Sequence, residues 1–267
     1  MSLPSIIDVR NRIEAIEDLG IKRCYQTIYL LGLRVGEACG YKYDSETKAQ
    51  PTGMHLSVRR ETFKPNLLNF DEVNDLRAVF TMNNGHVPTE EEIGQIMESV
   101  AIFHIVTEKR KGSERNVALP LNPNYEGWTQ QITDYILQRQ NKTEPVFPYY
   151  RQELWPIARR IFGGLTYPIV AYKRARKDVQ GNVVKNENGK VEYEVVSAHQ
   201  KNFADHALRH LRATELKSYY RIKGEMLDAF MGWAKPRGGE SSAMQDRYVL
   251  EPWREAGYFP RLLRHRI

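Results

Sequence analysis

Residues 205–220, DHALRHLRATELKSYY, decide how the rest of the chain is read. The stretch reads as a helix. His206, Arg209 and His210 fall at i, i+3 and i+4, so all three side chains project from one face. Two histidines one turn apart could hold zinc. No glutamate lies between them in the pattern of a zinc-protease helix, however, and no third ligand stands out.

The 267 residues suffice for one large domain or two small ones with a proper core. Composition is ordinary for a globular protein, without a low-complexity tract. No apolar run approaches a membrane span, and MSLPSIIDVRNR lacks a signal peptide's apolar stretch. The two cysteines, Cys24 and Cys39, have no metal or redox spacing, so buried thiols in a reducing cytoplasm are expected. A net charge of +6 favours a polyanionic partner. Basic clusters at Lys173–Lys177, Glu108–Arg115 and the terminal RLLRHRI point the same way, although any one of them can be solvated surface.

Hydrophobic spacing predicts helices over the first forty residues, with Ile6, Ile7, Val9, Ile13, Ile16 and Leu19 as one stripe and Gly20 as a stop. IKRCYQTIYLLGL follows as a second helix, buried at its far end. Met54–Phe63 has strand content, and two helices are expected around FDEVNDLRAVF and after VPTEEEIGQIMES, where Thr89 and Glu92 have capping-box spacing. SVAIFHIVTEK and RNVALPL read as a hairpin closed by RKGSE. GWTQQITDYILQRQ and QELWPIARRIFGGL read as helices. DVQGNVVKNENGKVEYEVV is a second hairpin candidate turning at NENGK. From about His199 the chain is expected to be helical until KPRGGESS. The expectation is one mainly α domain over residues 1–267 with a small antiparallel β-sheet, hence α+β.

Three segments carry a resemblance: Gly32, Leu33, Arg34 and Glu37 in LGLRVGEACGY; His206, Leu208, Arg209 and His210; and Gly232–Trp233, followed by Tyr248. In this order they resemble the boxes of the tyrosine recombinases, the phage-type integrase family, over about residues 1 to 250. The resemblance implies the family's catalytic-domain fold. It also implies a site-specific DNA recombinase or integrase that cuts and rejoins double-stranded DNA through a 3′-phosphotyrosyl intermediate, assembling as a tetramer on DNA without metal or other cofactor. Tyr248 would be the nucleophile, with Tyr258 as the fallback. A lysine on the basic hairpin would be the general acid, Lys109 first and Lys111 second. His210 completes its box as a supporting residue. Two alternatives remain: DNA relaxation like that of a type IB topoisomerase, and a DNA-binding protein that keeps the fold without activity.

Phosphoryl chemistry asks for these residue types independently. Attack on a phosphodiester builds charge on its non-bridging oxygens, and two guanidiniums can fork them bidentately at any working pH. That is the role for Arg34 and Arg209, with Glu37 orienting the arginine. His206 can bond the phosphate or take a proton, and the Trp233 indole N–H can donate to a phosphate oxygen. The arginines supply the charge that magnesium provides in other phosphoryl transfers.

The chain departs from the family pattern in three places. Tyr248 lies fifteen residues after Trp233, farther than is usual, and KPRGGE reads as an insertion in that loop. Residues 64–98 read as a helical insertion. The family's helical DNA-clamp domain precedes the catalytic one, whereas thirty-three residues precede Arg34 here, so the clamp domain is expected to be absent.

Overall fold

The computed structural model describes residues 4–42, 50–51, 56–61, 70–97, 100–106, 115–121, 127–140, 144–169, 172–222 and 224–233. It begins with helices α1 (Ile6–Glu14) and α2 (Leu19–Leu30). The apolar stripe ends at Glu14, earlier than expected, because Asp18 caps α2 by accepting from the Ile21 N–H at 2.8 Å. Gly20 is therefore no stop. It lies in the first turn of α2, where the Tyr149 hydroxyl occupies the space a Cβ would need. Ile7 and Leu19 are exposed, and Val9 and Ile13 carry the packing.

α2 is the central helix. It is buried from Cys24 to Leu30 and packs on α1, on α3 (Val35–Ala38), on α6 (Trp128–Leu137) and on α8 (Asp205–Ser218). Its lower end terminates on Gly32 in the left-handed region, φ 58°. There the Gly32 N–H reaches Tyr29 O at 3.1 Å and the Leu33 N–H reaches Ile28 O at 2.9 Å. This is the paired closure of a Schellman helix end, which needs glycine at that position.

Strands β1 (Tyr41–Lys42) and β2 (Gln50–Pro51) pair antiparallel. Strands β3 (Leu56–Glu61), β4 (Val100–Ile105) and β5 (Arg115–Pro120) form an antiparallel sheet in that order, with Val58 opposite Phe103 and Ile105 opposite Arg115. Helices α4 (Phe70–Asn84) and α5 (Glu90–Met97) fall between the neighbouring strands β3 and β4, in the two stretches where helices are expected. The capping box of α5 forms: Thr89 N donates to Glu92 Oε2 at 2.8 Å and Glu92 N to Thr89 Oγ1 at 3.1 Å. The sheet packs β3 on α6 and β5 on α9 (Glu225–Met231).

Helix α7 (Arg151–Ile161) leads into a long ribbon. β6 (Thr166–Ile169) pairs with β9 (His199–Asn202), and β7 (Tyr172–Ala175) with β8 (Tyr193–Val196). Two sequence expectations need correction here. The second hairpin begins at Thr166, well before Asp178, and His199 lies in a strand, the helix starting only at Asp205. The fold is accordingly mixed α+β with several small antiparallel sheets, richer in strand than a mainly α reading allows. Both cysteines are buried thiols that form no disulfide, as their spacing suggests. Among the described residues no helix is long and apolar enough to cross a membrane.

Candidate active site

One carboxylate gathers the site. Arg34 opens α3, and Glu37, one turn on, reaches back to it. Glu37 Oε2 accepts from the Arg34 N–H at 2.9 Å, and Oε1 from Arg34 Nη1 at 2.7 Å. On the other side of Glu37 stands Arg115, the first residue of β5, with Nη2 3.2 Å from Oε2 and Nε donating to Phe230 O at 3.1 Å. Arg209 of α8 places Nη1 3.8 Å from the same Oε2. Three guanidiniums thus surround one carboxylate that is 4% exposed.

Arg209 is held by two helix ends. It donates to Gly32 O, at the end of α2, and to Met231 O, at the end of α9. α9 closes as α2 does: Gly232 is left-handed at φ 63°, and the Trp233 N–H reaches Asp228 O at 2.9 Å. A cation at two helix C-termini satisfies carbonyls that have no intrahelical partner. The two glycine corners also abut. A Cβ on Gly32 would stand 2.8 Å from Met231 Sδ, and one on Gly232 would stand 2.8 Å from Arg115 Nη1. The Trp233 ring, partly exposed, lies 5.9 Å from Arg209 Cζ.

The charges are fixed by these contacts. Burial pushes the Glu37 carboxyl upward, but the Arg115 charge and hydrogen bond, with the Arg34 N–H, outweigh it and leave the pKa below the usual range. Burial and the neighbouring Arg115 push Arg209 down to about 9, so it stays charged at neutral pH. His206 sits at the solvent edge above Arg209. Partial burial, then His210, Arg209, Arg34 and Lys201, push it down to about 4, so its ring is neutral at neutral pH. Its ring meets that of His210 edge-on at 4.7 Å, and His210 stacks on Tyr167 at 6.1 Å. Beneath them Asp205 accepts from the Tyr25 hydroxyl at 3.2 Å, and burial raises it to about 6.

The structure brings together Arg34, Glu37, Arg209 and Trp233, with His206 beside them. His210, expected on the same face, is turned toward Tyr167. Arg34, its side chain 32% exposed, gives the cluster an opening to solvent. Arg209 and Arg115 lie behind it, nearly buried. Lys109, Lys111, Tyr248 and Tyr258 lie outside the described residues. One further cation belongs to the site beyond those the motifs name. Arg115 reads in the sequence only as part of a basic cluster, yet an arginine opening the apolar run RNVALP signals a buried partner.

Among the described residues no three His, Cys, Asp or Glu side chains group as metal ligands. The arrangement suits a singly charged oxyanion: guanidinium donors behind, a neutral imidazole at the rim and an indole to one side. Comparison with family models, with characterised proteins and with solved structures finds no match to this chain.

Proposed function

We propose that this chain is a tyrosine recombinase catalytic domain, cutting and rejoining double-stranded DNA through a 3′-phosphotyrosyl bond. The observation that supports the reading most is the meeting of Arg34, Arg209, Glu37 and Trp233 beside His206, five residues from three distant boxes. Arg34 and Arg209 would hold the non-bridging oxygens of the scissile phosphate. Arg209 spends two of its five N–H donors on Gly32 O and Met231 O. The Tyr248 oxygen would form the bond to phosphorus as the bond to the 5′-oxygen breaks. Neutral His206 can take the phenolic proton, and Lys109 or Lys111 would deliver one to the leaving 5′-oxygen. The phosphotyrosyl bond keeps the energy of the broken diester, so rejoining needs no nucleotide.

The test is a suicide substrate with a nick beside the cleavage position. The expected result is a covalent protein–DNA adduct mapped to Tyr248 and lost in Tyr248→Phe, which should still bind DNA. An adduct that persists in Tyr248→Phe and maps to Tyr258 would move the nucleophile. A shifted but never covalent band would make the chain a binding protein.

A further inference from the structure

The ribbon between α7 and α8 has no part in the chemistry proposed above. Its base is fixed. Phe203 and Tyr167 are buried, Phe203 N donates to Leu165 O at 2.9 Å, and Phe203 meets the Phe162 ring at 5.3 Å. Only Phe203 and Ala204 separate β9 from the helix that bears His206 and Arg209. Beyond the base, no residue from Lys173 to Asn202 is buried. An isolated two-stranded hairpin is marginal in water, yet this one is specified to its tip. Asp178 Oδ1 accepts from Gln180 N and Asn182 N, and Asn186 Oδ1 from Asn188 N and Lys190 N. Val184 is pinned between the strands by bonds to Arg176 O at 2.9 Å and from Glu192 N at 3.0 Å.

The two faces of the outer ribbon differ in charge. On one, Arg174 pairs with Glu194 and Arg176 with Glu192, which neutralises that side. On the other, Lys173 stands opposite Val195 and Ala175 opposite Tyr193, with Lys177 two positions on. Tyr193 and Val195 are 64% and 66% exposed. Glu192 and Glu194 are therefore spent on one face, and the other presents lysine with an aromatic ring. Because β9 joins the helix bearing His206 and Arg209 through two residues, a duplex with a phosphate at Arg34 and Arg209 would lie next to the base of the ribbon. A two-stranded ribbon is of a width that the major groove admits. Eight residue steps from Ile169 to Lys177 reach at most about 26 Å at about 3.3 Å each.

We propose that the ribbon from Tyr172 to Val196 is a DNA-contacting arm that lays its Lys173, Tyr193 and Val195 face on the duplex flanking the phosphate held by Arg34 and Arg209. This rests on the DNA-cleavage reading, and the experiment separates the two. Affinity for a long duplex is measured across a salt series for wild type and for Lys173→Ala/Lys177→Ala, with hydroxyl-radical footprints and light scattering on the same samples. Both lysines are exposed, so the variant should fold normally. Each phosphate that is no longer neutralised lowers the salt slope by about one. The slope should therefore fall by about two, and the outermost protected bases on one flank should disappear. Wild type that binds no duplex overturns the reading and the arm together. Wild-type binding with an unchanged variant slope and footprint overturns the arm alone. An unchanged slope with altered self-association would make the ribbon a protein contact and equally overturn it.

Discussion

Arg115 and Glu37, seventy-eight residues apart, meet in the interior with Nη2 3.2 Å from Oε2, and the contact joins the start of β5 to the arginine box. Removing one partner of a buried pair costs about 3–5 kcal/mol, because the other is left uncompensated. Glu37→Gln strands three guanidiniums at once, so a loss at or above that range is expected in denaturant unfolding. Arg115→Lys should recover part of what Arg115→Met loses, since it restores the charge without the fork. A Glu37→Gln protein within about 1 kcal/mol of wild type would show that the cluster does not depend on this carboxylate.

Arg34 and Arg209 should respond alike in cleavage and differently in stability. Alanine at either is expected to abolish adduct formation while weakening DNA binding modestly, since other phosphate contacts remain. Arg209→Ala should also destabilise the fold, because Gly32 O and Met231 O lose their donor. Arg34→Ala, at the solvent side, should melt closer to wild type. Lysine variants that cleave at the wild-type rate would remove the bidentate clamp from the mechanism.

The imidazole of His206 carries a pH signature. In the free protein its proton should come off near pH 4, read from the ring resonances by NMR. An anion at Arg34 offsets the neighbouring positive charges and should raise that midpoint. Titration near the ordinary value of about 6.5, unmoved by phosphate, would place the ring away from the arginines.

Asp205 and His206 bend the pH–stability curve in opposite senses. The raised carboxyl of Asp205 contributes stability below pH 3.8 that is lost as pH rises through about 6. The depressed imidazole contributes above 6.5 and is lost as pH falls toward about 4. Asp205→Asn should therefore be more stable than wild type at about pH 7.5, by up to about 3 kcal/mol, with the gain gone by about pH 4. Thermal melts across that range measure it, and equal stability at the upper end would contradict the raised carboxyl.

Much of this is legible in the residues because local rules set it. The Thr89–Glu92 capping box, the β4–β5 hairpin and the helical excursion between β3 and β4 all follow from spacing alone. Gly32 and Gly232 appear in the sequence only as letters of a motif, yet each is a left-handed helix end that brings a carbonyl to Arg209. Gly20 misleads, because a glycine in a first turn reads as a stop unless Tyr149 is known to press on it. The strand at His199–Asn202 reads as helix because its partner β6 lies thirty residues back, beyond the reach of periodicity. Arg115 escapes for a related reason, as nothing near it in the chain reveals that Glu37 and Phe230 are its neighbours.

The cluster around Glu37 carries more positive charge than negative. Three guanidiniums share one carboxylate, with a neutral imidazole at the rim, which leaves two positive charges in excess within this group of side chains. On the DNA-cleavage reading the cluster takes an oxyanion, and folding and binding are then linked equilibria. Sulfate or phosphate at constant ionic strength should raise the melting temperature, and Glu37 should then be less needed than in the bare protein. On the same reading, release of the phosphate would restore the mutual repulsion of the arginines, which would favour letting go as well as holding.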